Sequence, residues 1–254
     1  MRSVVVWLLG LSACAAEVDT LLVEADSADA RHENRAALAL YEQAAVIRPD
    51  DASILRRIAK QHAQILIETP SKSEKKRIGK VAEDTARRAV ELAPGDAQTH
   101  LILAIVLGRV ALLEAPARKV ALSKEIGERA GRTTQLDPEN DLAWHVLGRW
   151  NYELATFNPL LRGIAKAVYG QFPDATLDKA AMCFQKAMAL APNRCMHRIE
   201  YGRTLAELGK TKEAVDALQA GLSLEETDKD DAETKRRGRA TLASLEAARA
   251  NSQQ

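Results

Sequence analysis

Residues 177–194 read LDKAAMCFQKAMALAPNR. Ala180, Phe184 and Ala187 fall twelve, eight and five residues before Pro192, which sets two small side chains and one large one on a single helix face. Proline cannot continue a helix, and the polar residues after it can cap a new one, so this string stops one helix and starts another. The same signal stands at AAVIRPDD (Pro49), AVELAPGD (Pro94) and TTQLDPEND (Pro138). The four prolines lie 45, 44 and 54 residues apart, a period that predicts stacked helical hairpins. A helical bundle without repeats, using Ala for close packing, is the competing architecture. Composition agrees with helix: of 254 residues 46 % are apolar and only 4 % aromatic, with 13 Gly and 8 Pro. A core of Ala and Leu favours helices and leaves few turns for a β-sandwich.

Trp144, Leu147 and Gly148 precede the second helix as the opening of its partner. This spacing resembles the tetratricopeptide repeat, with Trp, Leu-Gly and Tyr on a first helix and Ala, Phe, Ala and Pro on a second. Ala37, Tyr41, Ala44 and Pro49 follow the second-helix pattern, and Ala82, Ala86, Ala89 and Pro94 follow it with Ala in the large position. Ile126, Ala130, Thr133 and Pro138 depart further, while Tyr201, Gly202, Leu205, Gly209, Ala214, Leu218 and Gly221 make a last recognisable unit. The pattern brings helices close at Gly148 and Gly202, with large side chains filling the space beside them. The intervals exceed the repeat because of extra segments near residues 67–77, 112–123 and 157–176.

Leu147, Gly148, Arg149 and Trp150, an apolar insertion, then Tyr169, Gly170, Pro173 and Thr176 ahead of the Ala180 helix resemble the regulator of microtubule dynamics family over residues 30–225. The resemblance implies an all-α, tetratricopeptide-like solenoid of four or five hairpins with inserted helices; eukaryotic members are linked to microtubules and organelle membranes. Within the insertion, Gly170 can end a helix in a left-handed conformation and Thr176 can cap the next. That would hold the inserted helix against residues 144–155. Its Leu160, Leu161, Ile164, Ala165 and Val168 either cover the repeat stack or form a face for a partner or membrane.

The N-terminus carries a separate signal. Residues 4–11 are nearly all apolar behind Arg2, and Leu11-Ser12-Ala13-Cys14 resembles the lipobox of bacterial lipoproteins. Residues 1–14 therefore read as an export signal, with Cys14 as the lipidation site and the repeat domain over 18–225 tethered to the cell envelope, facing the periplasm. Cleavage to a soluble secreted protein and retention of the segment are the alternatives. Cys183 and Cys195 are separated by roughly 15 Å or more along a helix, beyond disulfide reach, and should act as small apolar side chains.

The 36 basic and 35 acidic residues, formal charge +1, exclude nucleic-acid binding through bulk charge. First helices of tetratricopeptide repeats commonly line a concave, peptide-receiving surface. Aligning the units places Arg56, Lys60 and Gln64, then Arg109, then His145, Arg149 and Glu153, and finally Arg203 toward it. This modestly basic set suits an acidic segment or a chain-terminal carboxylate. Solvated helix faces, or Arg149 held by an internal acid, explain the same residues.

The five histidines, 32, 62, 100, 145 and 197, stand 30 or more residues apart, without metal-ligand spacing. His62 falls at a core-like position, and stacking could bring His100 near His145. No phosphate loop or nucleophile elbow occurs. The reading is thus a non-catalytic protein- or peptide-binding scaffold, with no cofactor and no metal; a structural subunit joined through the inserted helix is the first competitor, an enzyme the second. EETDKDDAE (225–233) reads as an acidic linker, and Leu242, Leu245 and Ala248 as part of a C-terminal capping helix within 226–254.

Overall fold

The polar residues after three of the four prolines do what their position demands. Asp51 accepts from the Ser53 and Ile54 amides at 2.9 and 3.2 Å, Asp96 from Gln98 at 2.8 Å, and Asn140 from Ala143 at 3.0 Å. Each satisfies orphan donors at a helix start. The fourth start differs: Arg194 occupies the cap position without a capping bond and sends its guanidinium to Asp141 instead.

The computed structural model describes the backbone of residues 2–251 and the side chains of 15–251. Every regular element among them is a helix, and the chain divides into two compact units. Residues 1–115 hold α1 (Arg2–Ala30), α2 (Asn34–Ile47), α3 (Ala52–Glu68), α4 (Lys72–Leu92) and α5 (Ala97–Ala111). Residues 116–254 hold α6 (Pro116–Leu136), α7 (Asp141–Ala155), α8 (Pro159–Tyr169), α9 (Leu177–Leu190), α10 (Cys195–Glu207), α11 (Thr211–Ser223) and α12 (Asp231–Asn251). The division falls inside the 18–225 repeat domain. No described helix is long and apolar enough to cross a membrane. The Cys14 expectation lies outside the described side chains.

In the first unit, neighbouring helices pack pairwise along the chain, and α3 also meets α5. Ala37, Tyr41 and Ala44 are fully buried with Val18, Ala25 and Ile54, and the Tyr41 hydroxyl donates to Asp26 at 2.6 Å. The extra residues near 67–77 and 112–123 form no separate elements. They lengthen helices: Thr69-Pro70-Ser71 turns α3 into α4, with the Ser71 hydroxyl accepting from Glu74 N, and Pro116 opens α6.

In the second unit α7 packs on α6 and α9, and α10 on α9, α11 and α12. A Cβ on Gly148 would lie 2.8 Å from the Phe184 ring, and one on Gly202 2.8 Å from Leu218. Both expected close approaches are present. The inserted helix α8 has its expected ends: Gly170 at φ 78°, and Thr176 accepting from Lys179 N at 3.2 Å. Its chief partner, however, is α6 rather than α7. Trp150 of α7 meets the same stretch of α6. Its indole lies over Gly127 of α6, where a Cβ would be 2.5 Å away, and donates to the Ser123 carbonyl at 2.8 Å. The Tyr169 hydroxyl reaches the Ser123 side chain at 2.7 Å, so both ends of the family-like segment fasten on one place in α6. Leu161, Ile164, Ala165 and Val168 join that apolar cluster, and Leu160 stays exposed.

The acidic run is not an open linker throughout. Asp231 is buried and accepts from the Thr227 and Asp228 amides at 2.8 Å each, while the buried Lys235 donates to the Leu224 carbonyl at 2.6 Å. These bonds fold residues 224–231 onto the start of α12, whose Leu242 and Leu245 pack beside Ile199 and Leu218. Cys183 and Cys195 are free and buried; burial raises their thiols to about 11 and about 12, the latter helped by Asp231. They carry little thiolate at neutral pH.

Candidate functional site

The sequence-derived candidates fall half in each unit. In the first, Lys60 is paired to Asp29 of α1 at 2.6 Å, and Gln64 accepts from Arg109 at 3.1 Å. Arg56 is mostly buried, its Nε without a hydrogen-bond partner, and burial lowers its pKa. Lys60 is therefore already neutralised by a residue the alignment did not consider.

In the second unit the candidates converge. Glu200 on α10 is fully buried and meets three guanidinium groups: Arg149 of α7 at 2.9 Å, Arg203 of α10 at 2.7 Å and Arg237 of α12 at 3.0 Å. Arg149 also pairs with the half-exposed Glu153 at 2.7 Å. Arg203 lies over the Tyr152 ring, 5.3 Å from its centre. Three cations thus surround two carboxylates, and the buried Nε groups of Arg203 and Arg237 have no acceptor. Burial, countered by Glu200 and then reinforced by Arg149 and Arg203, leaves the Arg237 pKa below its ordinary value. Glu200 responds oppositely: burial pushes its pKa up, but the three arginines outweigh burial and hold it below the usual carboxylate value. Glu207 stands at the edge of the cluster, accepting from the Tyr152 hydroxyl at 3.4 Å, and the arginine side chains are 17–34 % exposed.

His145 is corrected by the structure. It is buried, not on a receiving surface, because its ring fills the seam between α7, α9 and α10. Its Nδ1 stands 3.0 Å from Nδ1 of His197, and Phe184 presents a T-shaped contact at 5.4 Å. His197 Nε2 lies 2.9 Å from Asp141, which also accepts from Arg194 at 3.0 Å. Burial, then His197, Arg149, Arg237 and Arg194, depress the His145 pKa well below 6.5. His197 is its neighbour, and His100, in the first unit, bonds the Pro94 carbonyl at 2.9 Å. The His62 side chain is mostly buried, 14 % exposed, in keeping with a core-like position, and stands 3.9 Å from Glu42. Among the described residues no group of three or more His, Cys, Asp and Glu is placed to hold a metal.

Glu200, Arg237, His197 and Asp141 escaped the sequence reading. Glu200 lies three residues before Arg203 on one helix face, the spacing that could have placed it there. Arg237 sits in a basic run with no such marker.

Successive helix pairs with close-packed small residues and a charged first-helix face define a tetratricopeptide-like helical-repeat protein. Solved structures agree on the fold. A thermophilic tetratricopeptide-repeat protein of Thermus thermophilus aligns with TM-score 0.63 at 16 % identity, covering 89 % of this chain and 99 % of its own. Pseudomonas aeruginosa PilF aligns with TM-score 0.56 at 15 % identity, covering 92 % and 90 %. The chain belongs to the regulator of microtubule dynamics family: the model described as regulator of microtubule dynamics protein 1-3 matches residues 16–246. Mouse regulator of microtubule dynamics protein 1 is 30 % identical over 163 residues, 64 % of this chain and 52 % of the relative. Mouse protein 2 is 24 % identical over 197 residues, 77 % and 48 %, and cattle protein 3 is 29 % identical over 178 residues, 70 % and 38 %. The chain spans about half or less of the length of these relatives.

Proposed function

We propose that this protein is a non-catalytic scaffold whose second unit receives an acidic segment or a chain-terminal carboxylate of a protein partner. The observation that carries this reading is the cluster of guanidinium groups around Glu200, contributed by α7, α10 and α12. A carboxylate laid beside Arg149, Arg203 and Arg237 would supply acceptors that Glu200 and Glu153 leave wanting. The relatives are named as regulators of microtubule dynamics. What the shared helical-repeat region carries over is the capacity to hold a partner. The oligomeric reading has weaker support, because Leu161, Ile164, Ala165 and Val168 of α8 are turned into the unit's own core and Leu160 is its one large exposed apolar side chain.

The probe is a fluorescently labelled hexaglutamate peptide with a free C-terminus. It is expected to bind with an affinity that falls as salt rises. Arg237→Gln should weaken binding about tenfold or more, the value of one lost charged hydrogen bond. Lys212→Ala, on α11 and paired to Asp216, should leave it unchanged. Failure of the wild type to bind, or equal binding by a folded Arg237→Gln variant, refutes the reading.

We also propose that Cys14 is lipidated and tethers the scaffold to the bacterial cell envelope, the support being the Leu11-Ser12-Ala13-Cys14 string. Expression in a bacterial host should give a lipid-sized mass increment and membrane fractionation, both lost in Cys14→Ser. An unmodified Cys14 in the wild type rejects the tether.

A further inference from the structure

His145 and His197 face each other through two Nδ1 atoms 3.0 Å apart, so a hydrogen bond between them needs a proton on one nitrogen and none on the other. His197 Nε2 points at an Asp141 oxygen at 2.9 Å and serves as donor there. In the neutral pair, His145 Nδ1–H then donates to His197 Nδ1. One added proton fits: His197 donates through both nitrogens, to Asp141 and to His145, whose own proton moves to Nε2. A second would set two donors face to face. The pair is a buried acceptor for one proton.

It lies against the arginine site. From α7, Asp141 and Arg149 bear on the pair; from the α10 side, Arg194 and, beneath Arg149, Glu200; from α12, Arg237. Helix α9 contributes the Phe184 ring edge. The groups that, after burial and His197, hold the His145 pKa down include Arg149 and Arg237, two of the three arginines proposed to receive the ligand. An anion there offsets the field that holds the proton off.

We infer that an anionic ligand settling among Arg149, Arg203 and Arg237 draws a proton onto the His145–His197 pair, so that acidic ligands bind more tightly as pH falls. This rests on the arginine site being a carboxylate receptor. Reciprocity requires that proton and ligand strengthen each other by the same factor. A ligand that moves the pair's titration midpoint by about one pH unit gains up to about tenfold in affinity at low pH.

Titration calorimetry of the full chain with the hexaglutamate peptide, at pH 7.5 and 5.8 and in two buffers of different protonation enthalpy, tests this. Net proton uptake on binding, with affinity about 3- to 10-fold tighter at pH 5.8, is expected. His145→Asn and His197→Asn, checked for folding by circular dichroism, should bind without that uptake and with a flat pH profile. Tight binding without uptake by the wild type overturns the coupling and leaves the receptor standing. Uptake undiminished in both folded variants overturns the assignment to this pair. Absence of binding at both pH values overturns receptor and coupling together.

Discussion

Glu200→Gln is expected to cost the second unit about 3–5 kcal/mol of unfolding free energy, because a buried ion cluster that loses one partner strands the others. The amide keeps the shape and removes the charge that Arg149, Arg203 and Arg237 share. Urea unfolding reads the effect through Trp144 and Trp150, both in this unit, in a Trp7→Phe background. Glu153→Gln is the contrast. Its carboxylate is 45 % exposed and pairs with Arg149 alone, so the change should stay below about 1 kcal/mol. The pH dependence has a definite sign. Burial raises the Glu200 pKa, the arginines together lower it by more, and the folded value ends below 4.5. Its stabilisation is therefore complete above pH 4.5 and lost as pH falls through the folded pKa. Glu200→Gln should flatten that acid limb. A loss under about 1 kcal/mol in Glu200→Gln means that the three guanidinium groups find other acceptors and that Glu200 does not organise the cluster.

Phe184→Ala should be comparably severe, about 3–5 kcal/mol, the usual cost of emptying a fully buried aromatic site. Phe184 is wholly inaccessible, is packed on Gly148 so closely that a Cβ there would be 2.8 Å from its ring, and presents its edge to His145. Neither Gly148 nor the buried Ala180 has a side chain able to swing into the space. Phe184→Leu, which retains most of the volume, should lose under about 1.5 kcal/mol. The same cavity would admit water toward His145, so the histidine C–H resonances of Phe184→Ala should titrate closer to pH 6.5 than in the wild type, where burial depresses that ring. A loss below about 1.5 kcal/mol in the alanine variant would show that α7 and α9 can close over the gap.

The expected positions of Ala37, Ala180, Phe184 and Ala187 were legible because helical burial repeats every few residues, so local spacing alone names the inward face. Gly170 and Thr176 were legible for the same reason: a positive φ and a helix start are local demands. The partner of α8 was not, since Tyr169 reaches α6 through Ser123, a residue that carries no mark of it. The burial of Asp231 and Lys235 was not legible either, because it depends on how α12 packs on α10 and α11.

The sequence by itself determined the all-helical repeat, its punctuation by Pro49, Pro94, Pro138 and Pro192, the close contacts at Gly148 and Gly202, and Arg149 and Arg203 as charged members of first helices. These follow from propensity, capping and periodicity, which act within about one or two helical turns. Only the tertiary structure decided that Glu200 sits beneath those arginines, that Arg237 joins them from α12, and that His145 meets His197 across 52 positions. Charges attract and repel through space, so what an arginine can offer depends on which carboxylate the fold has already brought to it.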